Sequence, residues 1–232
     1  MIKKIKASFM ALSKFEVKLY IVSLSAVLLS YIFSMGNGFF QAIASALGVT
    51  ALIFIAKGDV LGQILTVVFS ILYGIISYQM KYYGEMITYM FMTAPMAVLA
   101  VISWLRNPYK KNKSEVKVYI LKKHEIILMF LYSAIVTFVF YYILKAFGTV
   151  NLIPGTISVT TSFLASYLTY KRSQFYAIGY AANDVVLIVL WVMAALKDIS
   201  HLPMVFCFIM FLINDLYGYL CWNKMKKRQC KE

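Results

Sequence analysis

The chain has 232 residues, of which 62% are hydrophobic, and it carries a formal net charge of +14 at pH 7. Only 14% of its residues are charged, against about a quarter in soluble domains, and this composition excludes an ordinary soluble globular protein. A basic soluble protein would be a candidate for binding nucleic acid, but here the cations lie between apolar segments, where they face lipid headgroups, so no nucleic-acid partner is expected.

Eight apolar segments of about 20 residues, the length of a membrane-crossing helix, follow one another along the chain. They cover residues 19–35, 39–56, 60–80, 86–105, 126–147, 151–170, 175–196 and 202–222. At a rise of about 1.5 Å per residue, helices of this length span a hydrocarbon core about 30 Å thick. The sequence therefore predicts an all-α integral membrane protein with eight transmembrane helices.

The positive charges alternate between the two ends of these segments. Twenty of the 23 lysine and arginine residues lie before the first segment, after the last one or in every second gap, and the opposite side receives only Lys81, Lys145 and Lys197. Because loops rich in lysine and arginine stay in the cytoplasm, both termini are predicted to be cytoplasmic. No small-residue cleavage site follows the first segment, so we interpret it as a retained anchor.

This order of segments predicts five regions. The first three are a cytoplasmic N-terminus with a leading helix (1–37), a three-helix bundle (38–105), and a basic cytoplasmic loop with a linker helix (106–150). A second three-helix bundle (151–224) and a cytoplasmic tail (225–232) complete the chain. The helices are thus predicted to follow the order 1+3+1+3.

The two three-helix bundles resemble each other in sequence at a constant offset of 118 residues. The matches are Trp104 with Trp222, Leu72-Tyr73 with Leu190-Trp191, Val67-Val68 with Val185-Val186, and Met86 with Met204. Both bundles begin on the outer side, so they are parallel, and parallel repeats are typical of transporters that bind substrate near the midplane between them. The two tryptophans that end the bundles are predicted first of all to be membrane-interface anchors.

Two carboxylates lie well inside the apolar segments, and each follows an asparagine. Asp184 falls near the middle of the seventh segment, and Asp215 lies in the inner third of the eighth. A charge at the bilayer centre costs about 2.5–3.5 kcal/mol on insertion scales, so neither side chain is expected to face lipid. Either they bond to neighbouring helices for structural reasons or they line a substrate pathway, and we favour the pathway.

Helical spacing places an aromatic ring on the same face as each of these acids. Seven residues turn a helix to within about 20° of two full turns, so Asp184 shares a face with Trp191, and Asp215 shares one with Trp222. An aromatic ring beside an amide and a carboxylate suits a flat, partly polar ligand, particularly one with a positively charged ring. The candidate binding residues are Asn183, Asp184, Trp191, Asn214, Asp215, Tyr217 and Trp222, together with the deeper polar residues Gln63 and Tyr73 of the first bundle.

A proline interrupts the fourth segment. Pro95 removes a backbone hydrogen bond, so this helix is predicted to be kinked or loosened there, and we treat the position as a possible hinge. Methionines at positions 86, 90, 92 and 96 are interpreted as adaptable packing around it.

Groups for metal, cofactor or covalent chemistry are scarce in the sequence. It contains neither a phosphate-binding glycine loop nor a paired Cys-x-x-Cys motif, and His124 and His201 are predicted at opposite membrane surfaces. The three cysteines offer no disulfide framework. We therefore expect no catalytic residues, no metal and no cofactor, and a pathway through the membrane is the preferred interpretation.

Part of the second bundle resembles a known family. The stretch Arg172…Tyr180-Ala-Ala-Asn183-Asp184…Leu190-Trp191, followed by Asn214-x-x-Tyr217-Gly218-x-x-x-Trp222, is similar to the Pnu family of vitamin transporters. The resemblance covers roughly residues 38–224. It implies two parallel three-helix bundles joined by an inverting helix, as in the SWEET sugar transporters, and a homotrimer. It also implies that Asn183, Trp191, Asn214, Tyr217 and Trp222 surround the substrate.

The resemblance further implies a function. Members of the family are best known for carrying nicotinamide riboside by facilitated diffusion, after which a cytoplasmic kinase traps the substrate. The present chain departs from the pattern in two places: it has Thr93-Ala94-Pro95-Met96 where many relatives have a Tyr-Gly pair, and Asp184 where an apolar residue is expected. We therefore expect a bacterial inner-membrane carrier that takes up nicotinamide riboside by alternating access, with Asp184 as the electrostatic partner of the ring.

Several alternatives stay open at this point. Related carriers move thiamine, riboflavin or deoxynucleosides; nicotinamide riboside and thiamine both have a cationic ring that Asp184 or Asp215 complements, and riboflavin does not. One deep acid suffices for proton coupling, so a symporter is an alternative to uncoupled transport. A non-transporting membrane scaffold and a membrane-embedded enzyme are the alternatives from other classes, although no converging set of catalytic groups favours the enzyme. A seven-helix sugar carrier of the SWEET type fits eight segments poorly.

Overall fold

The computed structural model describes residues 2–34, 39–79, 82–110, 115–149 and 151–231, without the side chains of residues 2–5, and most of this part of the chain is helical. The helices are α1 (Ile2–Met10), α2 (Lys14–Phe33), α3 (Phe39–Ala56), α4 (Val60–Gln79), α5 (Tyr83–Thr88), α6 (Ala94–Arg106), α7 (Lys123–Ala146), α8 (Leu152–Tyr170), α9 (Tyr176–Ala195) and α10 (Leu202–Gln229). A π-helical turn, Tyr89–Thr93, joins α5 to α6, and a 3-10 turn, Ile199–His201, precedes α10.

Seven stretches of the described chain are long and apolar enough to cross a membrane, so this is a multi-pass membrane protein. They are Lys14–Phe33, Phe39–Ala56, Val60–Gln79, Tyr83–Arg106, Lys123–Ala146, Tyr176–Ala195 and Ile199–Gln229. The eighth predicted segment also forms a helix, α8, but seven of its 19 residues are serine or threonine, and it is not among the seven. The prediction of eight spans is therefore confirmed for seven.

Six helical stretches of the described chain form a closed ring. Going round it, α3 packs on α4, α4 on the α5–α6 stretch, α6 on α8, α8 on α9, α9 on α10, and α10 on α3 again. Helix α2 lies outside the ring against α3 and α10, and α7 lies outside it against α8. We call the end of the bundle formed by residues 57–59, 107–110, 115–122 and the last turns of α10 the basic end, and the other the opposite end.

Glycines allow two pairs of helices in the ring to approach closely. A Cβ atom on Gly179 of α9 would lie 2.9 Å from the Cα of Ala165 in α8, and one on Gly62 of α4 would lie 2.6 Å from the backbone nitrogen of Ile55 in α3. Small residues at such crossings let backbones touch, which is a main source of helix association where the solvent is lipid.

Replacing Gly179 with valine is expected to destabilise the protein by at least about 1–3 kcal/mol, because the α8 and α9 backbones must separate. The matched control is Gly155→Ala in α8, where the new Cβ meets Leu144 only at an ordinary contact distance of 3.7 Å. Thermal unfolding of the two variants in detergent checks this difference. Equal melting temperatures for Gly179→Val and the wild type would contradict the close packing.

The turns from α3 to α4 and from α8 to α9 have the same backbone geometry. In the first turn the N–H of Asp59 donates to the carbonyl of Phe54 at 2.9 Å, and in the second the N–H of Ser173 donates to the carbonyl of Leu168, also at 2.9 Å. Each donor lies five residues after its acceptor. The residue before the donor is left-handed in both turns: Gly58 has φ 68° and Arg172 has φ 57°. These equivalent positions are related by 114 residues. The gapless offset of 118 predicted for the two bundles is therefore wrong by one helical turn at this point.

The prediction that Pro95 disturbs its helix is confirmed. The chain widens into the π-helical turn just before Pro95, where the N–H of Ala94 bonds to the carbonyl of Tyr89, five residues back. π-Helical turns often occur at functional sites because they redirect side chains. Here the turn directs Tyr89 and Thr93 towards the interior of the ring.

Candidate functional site

A small cavity of about 40 Å³ lies inside the ring, where α3, α4, the π turn, α9 and α10 meet. Its apolar walls come from α3 and from the rings of Phe69 and Phe211. Three of the nine residues predicted to bind substrate line this cavity: Asn183, Asp184 and Asp215. The structure thus brings three of the deep polar residues of the second bundle together in one site.

The two predicted intramembrane acids meet in the wall of this cavity. The carboxyl groups of Asp184 and Asp215 are hydrogen-bonding neighbours, and each residue is only 2% exposed. In the described part of the chain, neither is within ion-pair distance of a lysine, arginine or histidine. The expectation that these side chains avoid lipid is confirmed.

The amide of Asn183 is held in place by the neighbouring helix. Its Oδ1 atom accepts hydrogen bonds from Ser158 Oγ at 3.1 Å and from Thr161 Oγ1 at 2.9 Å, both in α8. The hydroxyl-rich face of α8 therefore serves to fix this amide beside the cavity.

The first bundle contributes hydroxyl groups that have no partner. Ser70 Oγ on α4 and Thr93 Oγ1 in the π turn are buried, line the cavity and make no hydrogen bond within the described structure. A buried hydroxyl left unpaired costs about 1–3 kcal/mol, so such atoms are available to a ligand. The predicted Gln63 lies two turns before Ser70, outside the cavity wall, and its Nε2 atom is also unpaired.

An aromatic layer covers the cavity towards the opposite end. Trp191 Nε1 donates to Tyr73 Oη at 2.7 Å, and these are two residues that the sequence repeat matches. The ring of Tyr73 lies 4.2 Å, between centroids, from that of Tyr89, which is part of the cavity wall. Trp191 also packs against His201, with 5.7 Å between ring centroids. Trp191 and Tyr73 therefore lie one ring beyond the cavity, not in its wall.

Sequence reasoning missed a buried acid beside the aromatic layer. Glu85, in the first turn of α5, is only 7% exposed, and its Oε2 atom accepts a hydrogen bond from Tyr73 Oη at 3.3 Å. Glu85 is the third residue of the span Tyr83–Arg106, so it lies at the edge of a span, unlike the two acids that were predicted well inside. The apolar segment predicted for residues 86–105 begins one residue after Glu85, so the prediction places Glu85 in the connection. The signal was its place at a helix N-terminus, where acidic side chains are favoured.

A pair of tryptophans closes the basic end. Trp104 Nε1 donates to the carbonyl of Thr169 at 3.0 Å, and Trp222 Nε1 donates to that of Ile55 at 2.8 Å. The helices α3 to α6 form one half of the ring, and α8 to α10 form the other. Each acceptor is the second-last residue of a helix in the opposite half from its tryptophan, so the two contacts are reciprocal. The two indole rings lie 5.4 Å apart and are at most 1% exposed. The prediction that they are interface anchors is wrong.

Two predicted binding residues lie away from the cavity, against the leading helix α2. Asn214 Nδ2 donates to Ser23 Oγ at 3.1 Å, and Tyr217 Oη donates to Glu16 Oε1 at 3.2 Å. These side chains therefore attach α2 to α10.

The basic loop crosses the basic end and donates hydrogen bonds to the α3–α4 turn and to the α8–α9 turn. Val116 N–H donates to the carbonyl of Gly58, and Tyr119 N–H donates to that of Arg172, each at 3.0 Å. We call residues 115–119 the strap. Because Gly58 and Arg172 belong to different halves of the ring, the strap joins the halves across this end.

The end of α10 is attached to the same strap. Val118 N–H donates to Gln229 Oε1 at 2.8 Å, and Gln229 Nε2 donates to Glu115 Oε1, also at 2.8 Å. Arg228 forms an ion pair with Glu115. Nearby, Lys171 donates to Glu125 Oε1 at 2.8 Å, and this hydrogen bond raises the pKa of Lys171.

Comparison with known proteins places this chain in a family. The family model for "Nicotinamide mononucleotide transporter" matches residues 38–224. The "Nicotinamide riboside transporter PnuC" of Neisseria mucosa is 24% identical over 196 residues, which are 83% of this chain and 74% of that protein. A crystal structure of the vitamin B3 transporter PnuC superposes with a TM-score of 0.83 at 23% identity and covers 94% of both chains, so the fold is shared. Since the family model spans most of the chain, the protein belongs to the nicotinamide mononucleotide transporter family.

Proposed function

We propose that this protein takes up nicotinamide riboside by facilitated diffusion with alternating access. The observation that carries the proposal is the cavity inside the ring of helices, with two carboxyl groups in an otherwise largely apolar wall and aromatic rings towards either end. Membership of a transporter family supports the same conclusion. The site has the shape of a binding site along a pathway, and a non-transporting scaffold would have no use for unpaired polar atoms at its centre.

The cavity must widen to hold a nucleoside. Binding sites for small organic molecules are typically about 300–1,000 Å³, so about 40 Å³ corresponds to a closed, collapsed site. The rings of Phe69 and Phe211, 5.4 Å apart, meet next to Gly48, where a Cβ would lie 2.2 Å from Phe211 Cζ. Rotation of these two rings away from Gly48 enlarges the site without breaking a hydrogen bond.

The chemistry of the wall favours a cationic ring with hydroxyl substituents. The ring of nicotinamide riboside is positively charged, and we assign the carboxyl pair as its electrostatic partner. Unpaired hydroxyls at Ser70 and Thr93, and the fixed amide of Asn183, suit the ribose and the carboxamide. Thiamine shares the ring charge and is the leading alternative, while riboflavin and deoxynucleosides lack it.

We further propose the 1+3+1+3 arrangement, with α8 as the eighth span. Helix α7 ends at the opposite end and α9 begins at the basic end, so the helix between them must cross the bilayer. Its polar side chains do not argue against this, because Ser158 and Thr161 face Asn183 inside the ring. The reciprocal contacts of Trp104 and Trp222 support two parallel halves related by an axis along the membrane normal.

Orientation, location and assembly complete the proposal. The 20-to-3 charge split favours a cytoplasmic basic end, both termini inside, and the inner membrane of a bacterium. Helix α7 lies outside the ring and exposes large apolar side chains, among them Phe130 and Phe138, and we propose it as the contact surface of a homotrimer. Uncoupled transport cannot accumulate substrate by itself, and for this reason we propose a cytoplasmic kinase as the functional partner.

Purified protein in vesicles is expected to equilibrate radiolabelled nicotinamide riboside across the membrane without concentrating it. Calorimetry with nicotinamide riboside, thiamine, riboflavin and a deoxynucleoside identifies the preferred ligand. Empty vesicles are the control for leakage, and vesicles with the Gly155→Ala variant are the control for a substitution outside the cavity wall. Accumulation of substrate above its equilibrium concentration under an imposed proton gradient would contradict the uncoupled mechanism. Absence of binding for all four ligands would contradict the proposed function.

A further inference from the structure

We propose that Asp184 and Asp215 share a proton while the cavity is empty, and that a cationic substrate displaces this proton when it binds. This inference rests on the proposed function and deepens it. It makes the carboxyl pair the feature that selects a charged ring over a neutral one of the same shape.

The first step concerns the hydrogen bond between the two carboxyl groups. An ionised carboxylate can only accept hydrogen bonds, so two ionised groups in contact have no donor between them. Asp184 Oδ2 is buried, and no hydrogen-bond donor of the described structure reaches it. A single proton on the pair supplies the missing donor and removes the repulsion of two like charges in a dry site.

The second step concerns the surroundings. The titratable groups that face the pair are the phenols of Tyr89, Tyr176 and Tyr180 and the thiol of Cys207, none of which is cationic. The cavity walls from α3 and α4 contain only non-ionisable side chains. No side chain of the described chain therefore supplies a positive charge to balance the two carboxyl groups, and that charge must come from a proton or from a ligand.

The third step is an independent sign of a ligand. Ser70 Oγ and Thr93 Oγ1 line the same cavity from the other half of the ring, are almost fully buried, and have no hydrogen-bond partner. Unpaired hydroxyls opposite a carboxyl pair suit a cation that bears hydroxyl groups.

The exchange is balanced in charge. When the positively charged ring enters, the proton leaves to solvent and a carboxylate takes the ring as its counter-charge. One positive charge departs and one arrives, so the net charge of the buried site does not change. Loss of the proton without the ring would create a second buried negative charge in contact with the first, which costs several kcal/mol. When the substrate leaves, the proton returns.

Calorimetric titration of the purified protein with nicotinamide riboside tests the exchange. Run at one pH in phosphate and in Tris, whose ionisation enthalpies differ, it is expected to show release of up to one proton per substrate. In the range where the pair is protonated, the Kd should fall about tenfold for each unit rise in pH. The reduced dihydro form of the nucleoside, similar in outline but uncharged, is expected to bind at least tenfold more weakly.

The variants Asp184→Asn and Asp215→Asn separate the exchange from the fold. An amide donates to the remaining carboxylate without a shared proton, so proton release and the pH dependence of the Kd should both disappear. The control Asp198→Asn removes an acid outside the ring, where it caps the 3-10 turn, and should behave as wild type. Heats that do not depend on the buffer would overturn the exchange while leaving the proposed function intact. Absence of binding in the wild type would overturn both.

Discussion

Replacing Trp191 with alanine is expected to weaken nicotinamide riboside binding by about 5- to 150-fold. Loss of an aromatic surface on which a flat base stacks costs about 1–3 kcal/mol. In the closed structure this indole is held by its hydrogen bond to Tyr73, whose ring touches Tyr89 in the cavity wall. As the cavity widens towards the opposite end, the face of Trp191 is the next aromatic surface that the ring meets.

Trp104→Ala is the matched control for this experiment. Both tryptophans are almost fully buried, and both donate one hydrogen bond, so truncation of either should cost about 3–5 kcal/mol of stability. Trp104 lies at the basic end, away from the cavity wall, and its loss should leave the Kd within about threefold of the wild-type value. Calorimetry and thermal unfolding measure the two effects separately. Equal losses of affinity in the two variants would show that Trp191 acts only through packing.

The outline of the fold was predictable because it depends on composition and period. The order of apolar segments and the widening before Pro95 follow from hydropathy and from the missing N–H of proline, and the structure has both. Burial of Asp184 and Asp215 was also predictable, since lipid excludes charge. That the two acids touch was not, because their contact depends on how α9 and α10 are rotated and shifted relative to each other.

The site residues were harder to predict because sequence spacing fixes a helix face but not its neighbour. Asn214 and Asp215 are adjacent, yet Asn214 contacts α2 and Asp215 faces the cavity. Trp222 shares a face with Asp215 but lies two turns nearer the basic end, where it closes the bundle. Hydrophobicity and spacing contain no information about which helix fills the space beside each face.

The strap could not have been predicted at all. Its contacts are mostly backbone hydrogen bonds from an irregular loop to two turns, and such bonds leave no pattern in the sequence. The left-handed turn at Arg172 was hidden for a similar reason: its counterpart is Gly58, which adopts positive φ readily, whereas Arg172 is held there by hydrogen bonds to Ser103 and by the ring of Tyr119.

Cross-linking the strap to α10 is expected to stop transport. In the closed structure the strap joins Gly58 of one half of the ring to the end of α10 in the other half, so the basic end cannot open unless these contacts separate. Cysteines at Glu115 and Gln229, whose side chains are hydrogen-bonded at 2.8 Å, are close enough for a short bifunctional thiol reagent. Vesicles with this double variant should lose nearly all uptake after cross-linking, and cleavage of a disulfide-containing linker should restore it.

The design requires the three native cysteines to be replaced first, since Cys230 is exposed beside Gln229. Each single-cysteine variant, treated with the same reagent, is the control for modification without a bridge, and both should keep their uptake. Nicotinamide riboside binding from the opposite end should survive the cross-link, because the cavity and the Trp191 layer lie on the far side of the tryptophan pair from the strap. Full uptake by completely cross-linked protein would mean that substrate leaves without parting the strap from α10, and the exit would then have to run between helices of the ring.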